Sequence, residues 1–243
     1  MTGQQPVAEP AQAYAPVIVD RATWNDARAV LLAQEKALTR MKDAVSAARR
    51  RMPMVPVLAD YEFIGPAGRV GLLELFEGRD QLIVQHFMFA PEDEQGCDGC
   101  SMMAERVGPL SHLHARRTSF ALTSRAPLER LEAFRSRMGW QLPWYSTIGP
   151  AFNADFGATG DGEERQAISV FWRRGASVFH TWSTHARGEE PFMVVLDLLD
   201  LTPWGRQEAW EDSPVGTPQE PTYSWMRLAD EYDDGQRRHC HQG

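Results

Sequence analysis

Lysine, cysteine and long apolar runs are scarce in this chain, which has two lysines and three cysteines. Its 33 acidic and 25 basic residues give a formal net charge of −8. This negative charge argues against a general nucleic-acid binder. No run approaches the roughly 20 apolar residues of a membrane-spanning helix. Residues 1–20 lack the basic and apolar regions of a secretory signal. We therefore expect a cytoplasmic protein that binds neither nucleic acid nor membrane.

Motifs for phosphate-bearing cofactors and for serine nucleophiles are also absent. The sequence contains neither the GxxxxGK(S/T) loop nor the GxGxxG turn, whose backbone amides hold phosphates. It has no GxSxG nucleophile elbow. We therefore expect no cofactor and no serine-based hydrolysis.

Two of the three cysteines stand together as Cys97-Asp98-Gly99-Cys100. The apolar run 82–89 comes before them and predicts a buried strand, and residues 101–106 predict a helix. A strand, a CxxC turn and a helix form the thioredoxin-like redox arrangement. We predict Cys97 as the attacking thiol and Cys100, one helical turn further on, as the resolving thiol.

Two opposing effects on the pKa of Cys97 follow from its neighbours. The free N–H groups and dipole of a helix N-terminus favour a thiolate and lower the pKa. The negative charge of Asp98, with Glu92, Asp93 and Glu94 before it, raises the pKa. We expect partial cancellation, and therefore a reducing dithiol rather than a strong oxidant.

Other residues near the motif leave alternatives open. His112 and His114 could supply two further ligands, so that a CxxC…HxH pattern would give the four ligands of a zinc site. The HxH spacing is poor for a zinc finger, and we expect no metal. Trp140, Trp144 and Arg125 are candidates for lining a substrate groove, with core packing or surface charge as the competing interpretations. The third cysteine, Cys240, is either a second resolving thiol or a residue of a frayed tail.

The order of elements predicts an α/β protein with a mixed central sheet flanked by helices. We predict a flexible arm over residues 1–19, a helix within 20–56 that begins near a Thr23–Asp26 capping box, a thioredoxin-like domain over 57–204 and an irregular tail over 205–243. Strands 82–89 and 118–123 should lie side by side and parallel, since right-handed crossovers place consecutive strands as neighbours. The CxxC motif then falls at the carboxyl end of the central strand, where open α/β sheets place their sites.

A collinear set of short motifs between about Ala37 and Arg206 resembles the DUF899 family of thioredoxin-like proteins. The matching residues are Phe87-Met88-Phe89-Ala90-Pro91, Gly96-Cys97-Asp98-Gly99-Cys100-Ser101, His114-Ala115-Arg116, Ser124-Arg125-Ala126-Pro127-Leu128, Arg137-Met138-Gly139-Trp140, Pro143-Trp144, Phe152-Asn153, Asp155-Phe156, Ser169-Val170-Phe171, Phe179-His180-Thr181, Ser183-Thr184, Ala186-Arg187-Gly188 and 197–203. The resemblance implies a thioredoxin-like fold and dithiol–disulfide exchange with a protein or small-molecule partner. Many thioredoxin-like redox proteins have a cis-proline before the third strand, whereas Arg165-Gln166-Ala167 precedes Ile168 here.

Three hypotheses about function follow. The first is a thiol–disulfide oxidoreductase that cycles Cys97 and Cys100. The second is peroxide reduction by Cys97, against which Glu94-Gln95-Gly96 counts, because peroxiredoxins place Pro and Thr before their cysteine. The third is a non-enzymatic interaction protein on the same scaffold. The long N-terminal helix also suggests a homodimer, in which it packs against a second subunit.

Overall fold

The computed structural model describes residues 14–160 and 163–232, so the first part of the predicted arm and Cys240 lie outside the described residues. Within those ranges the chain forms ten strands and six α-helices. In chain order they are α1 (Arg21–Arg49), β1 (Val55–Pro56), β2 (Glu62–Gly65), β3 (Gly68–Gly71), β4 (Gln81–His86), α2 (Asp98–Ala104), α3 (Ser111–His114), β5 (Thr118–Ser124), α4 (Leu128–Met138), β6 (Trp144–Thr147), α5 (Ala151–Asp155), β7 (Thr159–Gly160), β8 (Glu163–Glu164), β9 (Ala167–Arg174), β10 (Ser177–His185) and α6 (Val194–Leu199).

An eight-stranded sheet organises these elements, in the order β1-β10-β9-β4-β5-β6-β2-β3. Strands β4, β5 and β6 are parallel neighbours, whereas β9 is antiparallel to both β4 and β10. The four strands β10-β9-β4-β5, with α2 crossing from β4 to β5, form the thioredoxin-like unit. The predicted fold class, a mixed sheet flanked by helices with an N-terminal helical extension, is confirmed.

Strand β4 lies between β5 and β9 because its side chains are apolar on both faces. Leu82 and Val84 belong to one apolar cluster with Phe63, Phe76 and Phe171. The alternate side chain Ile83 packs against a second cluster, which continues through Phe87 just beyond the strand. This period of two gives the sheet a core on each side. The predicted parallel pairing is confirmed, with Leu82 opposite Ser119.

Helix α1 begins two residues earlier than its predicted capping box. Asp20 is the cap, because its Oδ1 accepts the Thr23 N–H at 2.7 Å, and this bond lowers the pKa of Asp20. The predicted Thr23–Asp26 capping box is therefore wrong. Thr23 is not the cap but the donor, because its backbone N–H is one of the free amides of the first turn and its acceptor, Asp20, precedes the helix. No residue of the 29-residue α1 is buried.

The chain divides into two compact units, one comprising residues up to Leu38 together with Val195–Met226, and the other Thr39–Val194 with the residues from Arg227 onward. In the first unit the buried carboxylate of Glu208 accepts the indole N–H groups of Trp210 and Trp225 at 2.6 and 2.9 Å, and the Tyr223 N–H at 2.8 Å. These donors satisfy a charge that burial would otherwise disfavour. The sheet and the CxxC motif belong to the second unit.

In the described parts of the chain, no helix is long and apolar enough to cross a bilayer.

Candidate active site

The CxxC turn follows β4 after the connection 87–96 and starts helix α2. Cys97 is the N-cap, with extended backbone angles of φ −64° and ψ 134°. Its N–H donates to Met88 O at 3.2 Å, and its carbonyl accepts the Ser101 hydroxyl at 2.8 Å. These bonds fix the first turn of α2 against the chain that leaves β4.

Gly96 allows the close approach of this turn to the core. A Cβ atom at position 96 would lie 2.6 Å from Cε1 of Phe87 and 3.1 Å from Cζ of Phe134. Real side-chain contacts do not occur at the shorter distance, so any larger residue would have to push the Phe87 ring aside. The glycine therefore sets the depth of the residue that follows it, Cys97.

The Cys97 thiol is partly exposed and is activated by the start of the helix. Its sulfur accepts the Cys100 N–H at 3.5 Å. The pKa of Cys97 is lowered to about 7, first by the hydrogen bond with the Cys100 side chain and then by the N–H groups of Cys100 and Gly99. Burial and the charge of Asp98 act in the opposite direction. The predicted opposition between the helix start and Asp98 is therefore present, and the hydrogen bond with the Cys100 side chain, together with the helix N–H groups, makes the net shift a lowering.

Cys100 is buried, with 1% of its surface exposed. Its thiol donates to Oε1 of Gln166 at 3.6 Å, and its carbonyl accepts Nε2 of Gln85 at 2.9 Å. Burial and the neighbouring Cys97 sulfur raise its pKa well above the usual range. Gln166 stands in the segment before β9 where the sequence lacks a proline. The structure thus places a side-chain amide against the Cys100 thiol.

Glu189 is a further ionisable group of this site, and sequence reasoning did not find it. It lies in the 3₁₀ segment Ala186–Phe192 and has no exposed surface. The segment follows His185, which pairs with Ala167, the neighbour of Gln166, so the sheet register brings it toward Cys100. Within residues 14–160 and 163–232, neither carboxylate oxygen of Glu189 has a hydrogen-bond partner.

The charge state of Glu189 is linked to both thiols. Burial, and next the charge of Cys97, raise the pKa of Glu189 to about 8. Glu189 in turn helps to raise the pKa of Cys100. An Arg-Gly-Glu-Glu-Pro segment is typical of an exposed loop, so composition offered no signal that its first glutamate is buried.

A cleft of about 510 Å³ opens beside the Cys97 sulfur. Its described lining combines five carboxylates with one guanidinium, those of Glu92, Asp93, Glu94, Glu163, Glu164 and Arg125. Arg125, predicted as a groove residue, pairs with Glu164 at 3.0 Å and with Glu92 at 3.5 Å. Its charge is thus compensated, and the described lining of the cleft beside Cys97 carries a formal net negative charge.

The two predicted groove tryptophans lie elsewhere. Trp144 is 1% and Trp140 9% exposed, and both pack with Phe87 and Phe134 in the core below α2. Trp140 also borders a separate cleft near Ala104, at the far end of α2, whose described lining does not include Cys97. Core packing is therefore what the structure shows for both indoles, because their size suits the space between α2 and α4.

The two histidines of the zinc alternative lie on helix α3, where residues two apart do not share a face. No group of three or more histidine, cysteine, aspartate or glutamate side chains in the described part of the chain is arranged to hold a metal ion. Both cysteines of the motif are free thiols.

Solved structures similar to this chain include three of 10–18% sequence identity. Peroxidoxin BcpB from Mycobacterium tuberculosis is 18% identical with a TM-score of 0.40, and the match covers 58% of this chain and 95% of that one. A PrxQ mutant from Xylella fastidiosa is 10% identical with a TM-score of 0.43, over 61% and 97% of the two chains. A proposed protein disulfide isomerase from Bacteroides thetaiotaomicron is 18% identical with a TM-score of 0.42, over 62% and 89%.

The comparison with curated proteins gave no match. A family model matches residues 13–232, and the chain therefore belongs to DUF899, a family described as bacterial protein of unknown function.

Proposed function

We propose that this protein is a thiol–disulfide oxidoreductase that uses Cys97 and Cys100 to reduce disulfides of a protein or small molecule. The observation that carries the proposal is the asymmetry of the two thiols. Cys97 faces an open cleft with a pKa lowered to about 7, whereas Cys100 is buried with a raised pKa. The first is suited to attack a substrate and the second to resolve the mixed disulfide.

The reaction follows from these positions. The Cys97 thiolate attacks one substrate sulfur, forming a mixed disulfide, and the other substrate sulfur leaves as a thiolate that takes up a proton. Cys100 then loses its proton and attacks the Cys97 sulfur, which releases the second substrate thiol. The protein ends with a Cys97–Cys100 disulfide, and an external dithiol must reduce it before the next turnover.

We assign the acceptor of the Cys100 proton to Glu189. Burial and, next, the Cys97 thiolate raise the pKa of Glu189 to about 8, which favours its protonated form in the resting dithiol. Formation of the mixed disulfide removes that negative charge and lowers the pKa of Glu189, which favours release of its proton to water before Cys100 is deprotonated. Glu189 thereby becomes a base at the stage at which Cys100 must be deprotonated.

The cytoplasm suits this chemistry, because dithiols stay reduced there and structural disulfides are rare. A reduction potential close to that of thioredoxin is expected, since stabilisation of the Cys97 thiolate by the Cys100 side chain and the helix start is opposed by burial and Asp98.

A disulfide-reduction assay with insulin and a chromogenic disulfide tests the proposal. Wild-type protein with a dithiol reductant should reduce both, and Cys97→Ser should abolish the activity. Cys100→Ser should accumulate a mixed disulfide that mass spectrometry detects as an adduct on Cys97. Equal reduction by wild-type and Cys97→Ser protein would reject the oxidoreductase role, and inactivity of all three would favour a binding protein.

Peroxide reduction is a second candidate, because an open cleft beside one thiol and a buried second thiol also suit it. Cys97 would be oxidised to a sulfenic acid while the peroxide becomes an alcohol or water. Cys100 would then form the disulfide with loss of water. Stoichiometric consumption of hydrogen peroxide, with one disulfide formed per peroxide, would favour this reaction over disulfide reduction.

A further inference from the structure

Helix α1 carries an apolar stripe that the described part of the chain leaves exposed. At 100° per residue, six large apolar side chains fall within about a third of the helix circumference. They are Trp24, Val30, Leu31, Leu38, Met41 and Val45, and each is between 42% and 65% exposed. The partly buried positions of the helix are occupied instead by Arg28, Glu35, Ser46 and Ala47.

A helix of this kind lacks the packing that normally stabilises one. Most helical stability in proteins comes from burial of an amphipathic face rather than from intrinsic propensity. Helix α1 has 29 residues and none is buried. Its stripe, from Trp24 to Val45, is about 32 Å long and about 10 Å wide, an apolar patch of the size that marks an interaction surface.

The spacing within the stripe indicates what covers it. Trp24, Leu31, Leu38 and Val45 recur every seven residues, and Ala27, Met41 and Ala48 occupy positions three residues after three of them. A strict seven-residue repeat is the condition for two helices to supercoil around each other, whereas a helix lying on a lipid surface has no need of it.

Polarity also distinguishes a second helix from a membrane. Gln34 lies in the middle of the stripe. An amide there would lose its hydrogen bonds in lipid, whereas the matching amide of a second helix can bond to it. The chain as a whole carries a formal charge of −8, which opposes attraction to anionic membranes.

We propose that α1 is the dimerisation element of this protein and that a second copy of the same chain covers its apolar stripe through a coiled coil. The three heptads from Trp24 to Val45 form a small interface, so the dimer should dissociate in the micromolar range. The proposal does not depend on the chemistry of Cys97, which lies on a different element.

Sedimentation equilibrium of the full chain between 1 and 200 µM tests the proposal. Because the chain mass is 27.4 kDa, a wild-type dimer would sediment at about 55 kDa. The variant Leu31→Glu/Leu38→Glu should raise the dissociation constant by at least about 100-fold. Leu32→Glu is the matched control, since Leu32 is a neighbouring leucine of the same helix that is 39% exposed but faces away from the stripe. It should dimerise as the wild type does.

Circular dichroism of each variant and the milder substitution Leu38→Ala separate lost association from lost folding. Leu38→Ala should weaken the dimer about tenfold while retaining the native fold. A wild-type chain that stays monomeric at 200 µM would overturn the proposal, and so would an equal dissociation constant in the double variant. A monomer that sediments with vesicles of anionic lipid would also overturn it and assign the stripe to a membrane surface.

Discussion

Replacing Glu189 by glutamine should change how the stability of this protein depends on pH. Glu189 is buried without a hydrogen-bond partner in the described chain, and its pKa rises from 4.5 to about 8. A raised carboxyl pKa means that the folded state binds a proton that the unfolded state releases. Stability from this group is therefore fully present below pH 4.5 and is lost as pH rises toward 8.

The size of the effect follows from the two pKa values. Each pH unit between 4.5 and 8 lowers the free energy of unfolding by about 1.4 kcal/mol. The loss is about 2 kcal/mol at pH 6 and about 4 kcal/mol at pH 8, after which it levels off. Glutamine has the same size and carries no charge at any of these values, so Glu189→Gln should escape the loss.

Urea denaturation of the reduced protein at pH 5, 6, 7 and 8 measures this difference. Wild type and Glu189→Gln should have similar free energies of unfolding at pH 5, and the variant should be more stable by about 4 kcal/mol at pH 8. Cys97 contributes with the opposite sign above pH 7, because its pKa is lowered. The comparison at pH 8 therefore also contains the coupling between the Cys97 thiolate and Glu189, whereas at pH 6, where Cys97 is mostly protonated, the expected difference of about 2 kcal/mol is largely free of it. Glu190→Gln is the control, since Glu190 is paired with Arg187 at 2.8 Å.

Parallel stability curves for wild type and Glu189→Gln would refute the reasoning. They would mean that Glu189 titrates alike in the folded and unfolded states. A similar gain in the free energy of unfolding of Glu190→Gln at pH 8 would also refute it. The effect would then come from removing any negative charge in this segment and not from the burial of Glu189.

Three further predictions concern the CxxC turn. Alkylation of Cys97 by iodoacetamide in the wild-type protein should follow a titration with a midpoint near pH 7, and a midpoint at pH 8.5 or above would contradict stabilisation of its thiolate by the Cys100 side chain and the helix start. Asp98→Asn removes a charge that raises the pKa of Cys97, so the alkylation rate of Cys97 at pH 6 should rise on the order of twofold. An unchanged rate would mean that the Asp98 carboxylate does not affect the ionisation of the Cys97 thiol. Gly96→Ala should lower the free energy of unfolding by about 1–3 kcal/mol through overpacking against Phe87, and urea denaturation that shows no change would contradict the close approach of the turn.

Local sequence signals were sufficient for the part of the fold that carries the cysteines. The apolar run 82–89 predicts a strand buried on both faces, and β4 occupies the middle of the sheet. Pro127 and Gly139 predict the bounds of α4, which is Leu128–Met138 with Gly139 in the left-handed conformation at its end. These features succeed because each is decided within a few residues of backbone.

Features that depend on distant pairing were not predictable in the same way. Strand β1 has two residues and exists only because Val55 and Pro56 pair with β10. The apolar pattern over 192–201 predicts one helix, whereas α6 runs from Val194 to Leu199, because a 3₁₀ segment ends at Phe192 and the chain after Leu199 is irregular. Local propensity does not predict strand β1 or the bounds of α6, since both depend on the surrounding fold.

The environment of the Cys100 thiol is the clearest case of such long-range assembly. Gln85 comes from β4, Gln166 precedes β9 and Glu189 follows β10, so only the sheet register brings them to Cys100. Among the described residues, the groups that shift the pKa of Cys100 include no cation. Because a buried thiolate without a cation is strongly disfavoured, the resolving step that we propose for Cys100 needs a group that takes up the proton as the sulfur attacks. The role proposed for Glu189 would supply that group, and it would account for a buried acid, without a hydrogen-bond partner in the described chain, whose charge is coupled to both thiols.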